Sequence, residues 1–181
     1  MLTEQQKQEL LKIARETLDY YLSGKELPPL VYDDPVLQEK RGVFVTLKKK
    51  GDLRGCIGYI EGIEPLAMAV RDMAIQSATG DPRFPPVNHR ELKDIKIEIS
   101  VLTPLKKIKN VEEIVLGRDG VIIKKGYRQG VFLPQVAEET GWSKEEFLSN
   151  LCMYKAGLSP DAWKDKDIEI YTFQADVFSE E

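Results

Sequence analysis

This chain of 181 residues is short of the residue types that make most catalytic and metal sites legible: it has one histidine, His89, and two cysteines, Cys56 and Cys152. The cysteines lie 96 positions apart and form no local ligand pair, which removes the usual zinc motifs. A serine-histidine triad would have to use His89, and no nucleophile-elbow pattern accompanies it. His89 is read instead as a surface or helix-start residue after Pro86. No apolar run reaches the ~18 residues that a membrane helix needs. There is no signal-peptide pattern, no repeat and no low-complexity block, so a soluble protein in a reducing cytoplasmic setting is expected. An excess of positive charge is missing too. With a net charge of −4, a broad nucleic-acid surface is not expected.

What is present is one unusual hexapeptide, Leu53-Arg54-Gly55-Cys56-Ile57-Gly58. In an extended segment residues two apart share a face, so Arg54 and Cys56 are expected to point the same way. A cation there favours the thiolate over a thiol whose ordinary pKa is about 8.5, giving a nucleophile or ligand. Gly55 and Gly58 remove side chains on either side, which admits either a ligand to the backbone or another piece of protein. A free cysteine is equally at home as a small buried hydrophobe, and both readings stand.

The length suits one domain, in two lobes, able to bury about 70% of its unfolded surface. An amphipathic helix opens the chain, with Leu10, Leu11, Ala14, Thr17, Leu18, Tyr21 and Leu22 at helical spacing, a Thr3/Gln6 capping box and a stop at Gly24. Residues 41–47 pair with 53–59 across a Lys48-Lys49-Lys50-Gly51-Asp52 hairpin loop. A second helix starts at Pro65, and a half-buried strand spans Ile95 to Val101. Short strands follow Arg118-Asp119-Gly120 and the Gly126–Gly130 turn. A Ser143/Glu146 box starts a helix that runs through Leu148, Leu151, Cys152 and Lys155 to Gly157, and Ile168 to Phe178 reads as one closing strand. The fold class is α+β, with mainly antiparallel sheets and packed helices.

Between helix and strand, Gly80-Asp81-Pro82-Arg83-Phe84-Pro85-Pro86 must be a shaped loop. As a structural corner, Asp81 accepts backbone hydrogen bonds, Arg83 pairs with a carboxylate and Phe84 plugs the core. As a site, Arg83 joins Arg54 in a fork for a carboxylate or phosphate, with Asp81 orienting one guanidinium. Gln135, after Leu133-Pro134, either aims an amide into a cleft or follows a proline that opens a helix. Lys155-Ala156-Gly157 is explained by a helix end, and Cys152 by the apolar side of its helix.

Leu53 to Gly58, Ser77 to Phe84, Leu133 to Trp142 and Lys155 to Leu158, in this order and spacing, closely resemble the AMMECR family, first named for a human chromosomal-region protein. The match covers nearly the whole chain, in the compact form of the archaeal and bacterial members. The resemblance implies an α+β fold whose larger lobe combines both chain ends and whose smaller lobe is made of short antiparallel strands, with the hexapeptide near the cleft between them. It implies that Arg54, Gly55, Cys56 and Gly58 are functional. It also implies an association with Memo-like and radical S-adenosylmethionine proteins in a shared modification pathway, and it supplies neither a reaction nor a cofactor. Two functions remain open: a thiol-dependent enzyme or enzyme subunit in which Cys56 handles a small anionic substrate held by Arg54 and Arg83, and a non-catalytic adaptor for a peptide, a protein or, with Arg54, Arg83, Lys155 and Tyr59, a nucleic acid.

Overall fold

A computed structural model describes all 181 residues. In chain order the helices and strands are α1 (Glu4–Leu22), β1 (Val43–Lys49), β2 (Asp52–Tyr59), α2 (Leu66–Thr79), β3 (Ile95–Leu102), β4 (Lys106–Ile108), β5 (Gly120–Lys125), β6 (Arg128–Phe132), α3 (Val136–Thr140), α4 (Lys144–Asn150), β7 (Glu169–Phe173) and β8 (Ala175–Ser179). Contacts divide the chain into two units. One comprises Met1–Leu102 with Asp176–Glu181, the other Thr103–Ala175. No helix is long and apolar enough to cross a membrane.

The first unit is a four-stranded sheet, in the order β2-β1-β3-β8, covered on one face by α1 and α2. Helix α1 starts where Thr3 and Gln6 close their capping box, and it buries Leu10, Leu11, Ala14, Thr17 and Leu18. Strand β1 pairs antiparallel with both β2 and β3. Alternation then sorts the side chains: Val43, Val45 and Leu47 of β1, with Ile95, Ile97, Ile99 and Val101 of β3, are buried in one core with the helices. Arg15 of α1 ties both ends of the chain to this core by bonding Glu180 and the carbonyls of Leu92 and Ile95.

The β1–β2 hairpin turns on Lys50 and Gly51, both with positive φ (52° and 86°), the signature of a type I′ turn. From this turn Lys49 pairs with Asp52 and Lys48 with Leu53, but Leu47 then pairs with Gly55. Arg54 is the extra residue of a β-bulge. The shift sets everything beyond it: Ile57 lies opposite Val45, and Cys56 lies opposite Thr46.

Helix α2 crosses β2 at its closest point over Gly55. A Cβ on Gly55 would stand 2.0 Å from the Ser77 carbonyl oxygen, and one on Gly58 would stand 2.5 Å from the Phe44 ring. The buried Ser77 hydroxyl donates to the Val45 carbonyl (2.7 Å) and accepts from the Ile57 N–H (3.0 Å), pinning the helix to the ladder.

The second unit is an antiparallel sheet in the order β4-β7-β5-β6, with α3 and α4 over a core that includes Val121, Ile123, Phe132, Phe147, Leu148, Leu151 and Cys152. Two expectations are corrected in detail. The closing strand is two strands in different sheets, because the chain turns at Gln174, whose N–H bonds Thr103 Oγ1 and whose carbonyl accepts from the Thr103 N–H, both at 2.8 Å. The helix begun by Ser143 is regular only to Asn150 and then widens into a π-helical turn, Leu151–Lys155. Gly130 leaves room for that turn, since a Cβ there would lie 2.6 Å from the Ala156 nitrogen.

Because both groups that meet at Gly55 are backbone, Gly55→Ala is expected to lower stability by about 2 kcal/mol or more. Urea denaturation checks it; an unchanged midpoint would mean that the crossing is loose.

Candidate functional site

The bulge at Arg54 breaks the period-two rule on which a shared Arg54/Cys56 face depends. Arg54 is drawn instead, together with Lys49, to the carboxylate of Glu91 (Nε and Nζ at 3.1 and 3.0 Å). Its Nη1 donates to the Pro85 carbonyl (2.9 Å), and its Nη2 reaches Pro86 O and Glu91. With its side chain 14% exposed and every hydrogen bond going to Glu91 and two prolines, Arg54 fixes the proline-rich loop to the strand. The fork of Arg54 and Arg83 for a single anion is therefore not assembled. Glu91 also accepts from the Asn88 N–H as part of a capping box. Burial pushes its carboxyl up, but the Asn88 N–H, Arg54 and Lys49 outweigh that and bring it from 4.5 down to about 2.

Cys56 is half-buried and free. Its Sγ lies 3.1 Å from Thr46 Oγ1, as expected where side chains approach across a pair that does not exchange backbone hydrogen bonds. Strand β2 is at the sheet's edge, and the Cys56 N–H turns away from β1 to donate to Asp81 Oδ2 (3.0 Å). Asp81 is buried just beyond the C-terminus of α2. Its carboxylate also accepts from the Arg83 N–H (3.0 Å), Nε (3.0 Å) and Nη2 (2.8 Å). These Arg83 contacts, working against burial and joined by the Cys56 N–H, hold the Asp81 carboxyl well below the usual carboxylate range. Arg83 Nη2 also reaches the Cys56 carbonyl at 3.4 Å. The pair thus closes the strand edge at Cys56, where open N–H and C=O groups would invite another strand.

Arg83 keeps a half-exposed side chain, with its guanidinium 5.5 Å from the Phe84 ring centre. Phe84 is half-buried and stands outside the core cluster it was expected to plug. Gly55 and Gly58 have packing reasons, the Ser77 carbonyl and the Phe44 ring, and neither needs a ligand. Gln135 belongs to the second unit, where it is exposed and precedes α3. Lys155 ends the π-helical turn and is exposed, and Cys152 is buried, its thiol pushed up by burial. His89 opens a 3-10 turn, and its Nε2 meets Asp19 at 2.7 Å on the surface.

Thr46, Ser77 and Glu91 escape a reading of motifs. Only the polarity of Thr46 within an otherwise apolar stretch marks it, and only the bulge gives that polarity a partner.

The comparisons with known proteins agree with one another. The AMMECR1 family model matches residues 11–178. A protein of Methanothermobacter thermautotrophicus is 51% identical over 180 residues, covering 95% of this chain and 93% of its own. Protein MK0488 of Methanopyrus kandleri is 51% identical over 193 residues, covering 99% and 91%. The crystal structure of the uncharacterized protein PH0010 from Pyrococcus horikoshii superposes with a TM-score of 0.82 at 46% identity, covering 96% of this chain and 90% of that one.

The acid limb of stability reports the Glu91 cluster. A carboxyl depressed in the folded state stabilises the protein above its unfolded pKa, and that contribution is lost as pH falls from about 4.5 through about 2. Glu91→Gln is expected to flatten the decline over this window in pH-dependent denaturation; an unchanged slope would mean that Glu91 is not held by Arg54 and Lys49.

Proposed function

The chain belongs to the AMMECR1 family, and from that premise we propose that it is a thiol-dependent enzyme, or the thiol-bearing subunit of one, acting on a small anionic substrate. The observation that carries this reading is the placement of Cys56: a free, half-exposed thiol opposite the Thr46 hydroxyl, on the sheet face that the helices do not cover. Cys56 is the nucleophile or the point of attachment. Arg83 receives the substrate's negative charge, with Asp81 fixing the guanidinium plane and leaving Nη1 uncommitted. Arg54, Gly55 and Gly58 serve by building the strand and loop that present these groups. A cytoplasmic setting, which keeps both thiols reduced, fits this role. The Memo-like and radical S-adenosylmethionine proteins implied by the resemblance would supply or consume the substrate.

A specific observation also favours the adaptor. The hexapeptide glycines are accounted for by the crossing of α2 and by Phe44, so the hexapeptide is equally a packing device beneath a recognition surface.

Alkylation of the folded protein separates the two. Cys56 is expected to react with iodoacetamide while Cys152 stays silent until unfolding, and Arg83→Ala is expected to slow anionic iodoacetate, relative to neutral iodoacetamide, by about threefold or more. Intact mass after timed quenching reads both. Silence of Cys56 until the protein unfolds would remove the nucleophile and leave the adaptor.

A further inference from the structure

The second unit holds a cavity of about 280 Å³, bordered by Thr103, Pro104, β4, the turn that ends at Asp119 and the end of β7. Its wall carries a hydroxyl without a partner. Thr172 is 8% exposed and lines the cavity, and its Oγ1 makes no hydrogen bond within the protein. That hydroxyl is not sealed from solvent, so it is free to donate to or accept from a ligand that enters the cavity.

The groups around it are of mixed and complementary kinds. Asp119 is buried, but its carboxylate accepts from the Val115 N–H (2.9 Å), from Arg118 Nε and Nη2 (2.9 and 3.0 Å) and from Gln174 Nε2 (3.4 Å), so its lone pairs are already in use. Those bonds leave Arg118 Nη1 uncommitted. Lys106 is largely exposed and only loosely paired, 3.9 Å from Glu113. Gln174 is fixed by its N–H to Thr103 Oγ1 (2.8 Å) and by its amide nitrogen to Asp119, which leaves its side-chain oxygen as an acceptor. Ile108, Pro104 and Phe173 supply apolar wall.

We propose that this cavity binds a small carboxylic acid, with its carboxylate taken by Arg118 Nη1, Lys106 Nζ and the Thr172 hydroxyl and its apolar body against Ile108, Pro104 and Phe173. A few convergent polar groups on an otherwise apolar wall are the general form of a small-molecule site, and the volume sits just under the roughly 300–1,000 Å³ of sites for drug-sized ligands. The charge balance selects the ligand. Lys106 and Arg118 stand against Glu113 and Asp119, so the lining has no net charge and suits a monoanion with an apolar tail over a phosphate dianion. The cavity lies wholly within the second unit and does not depend on the role given to Cys56.

Titration of the full-length protein with sodium butyrate, followed by amide NMR, tests the assignment, with inorganic phosphate and with sodium chloride at matched ionic strength as the other arms. Butyrate is expected to give saturable shifts at Thr172 and Gln174, phosphate a weaker response and chloride none. Thr172→Val, nearly isosteric, is expected to weaken butyrate binding about tenfold, and Lys106→Ala severalfold. Lys106 is exposed, so that variant keeps the test decisive if Thr172→Val does not fold. No saturable shift with butyrate, tighter binding of phosphate, or butyrate affinity unchanged in the variants that fold would overturn the proposal.

Discussion

One extra residue in one strand governs the layout of the first unit. Arg54 has no partner in the β1–β2 ladder, and the one-residue shift it introduces exchanges the two faces of everything that follows. Without it, the register set by the Lys50-Gly51 turn would place Cys56 opposite Val45, whose side chain is in the core. With it, Ile57 takes that position, and Cys56 stands opposite Thr46 on the other face. The bulge is held from two sides. Glu91 and the Pro85 and Pro86 carbonyls gather the Arg54 guanidinium, while Ser77 bridges Val45 and Ile57 one step further along.

The same constraint explains why two positions in the hexapeptide cannot carry a side chain. Helix α2 must approach β2 closely enough for Ser77 to reach the ladder, which leaves no room at Gly55, and the Phe44 ring occupies the space beside Gly58. The helix then ends at Thr79, with Gly80 as its cap, and delivers Asp81 to the strand edge. Asp81 and Arg83 occupy the outward N–H and C=O of Cys56, so an edge strand that carries a reactive residue type does not also offer a free pairing edge.

Much of this was legible in the sequence. The opening helix with its Thr3 cap, the hairpin, the Pro65 helix start and the Ile95–Val101 strand follow from local periodicity and turn chemistry, which act over a few residues. The α+β class with antiparallel sheets followed from the same signals, and the family from the hexapeptide and the segments after it. The structure corrected whatever depended on counting across a distance. Alternation put Arg54 beside Cys56 because a bulge leaves no mark in composition. Ile168 to Phe178 read as one strand because β-branched and aromatic residues continue past Gln174, while the change of sheet there is made by hydrogen bonds to Thr103, 71 residues earlier. Glu91 was invisible because its partners, Lys49 of β1 and Arg54 of β2, lie 42 and 37 residues earlier in the chain.

The register itself is the quantity to measure. In an antiparallel pair that does not exchange backbone hydrogen bonds the two Cα atoms are only about 4.5 Å apart and their α-protons face each other. The Cys56 N–H points away from β1, toward Asp81, so the Thr46/Cys56 pair is of this kind. A strong α-proton NOE between Thr46 and Cys56 is the result that the bulge requires. An NOE pattern pairing Thr46 with Gly55 would place Cys56 opposite Val45 on the core face and contradict the site built around it.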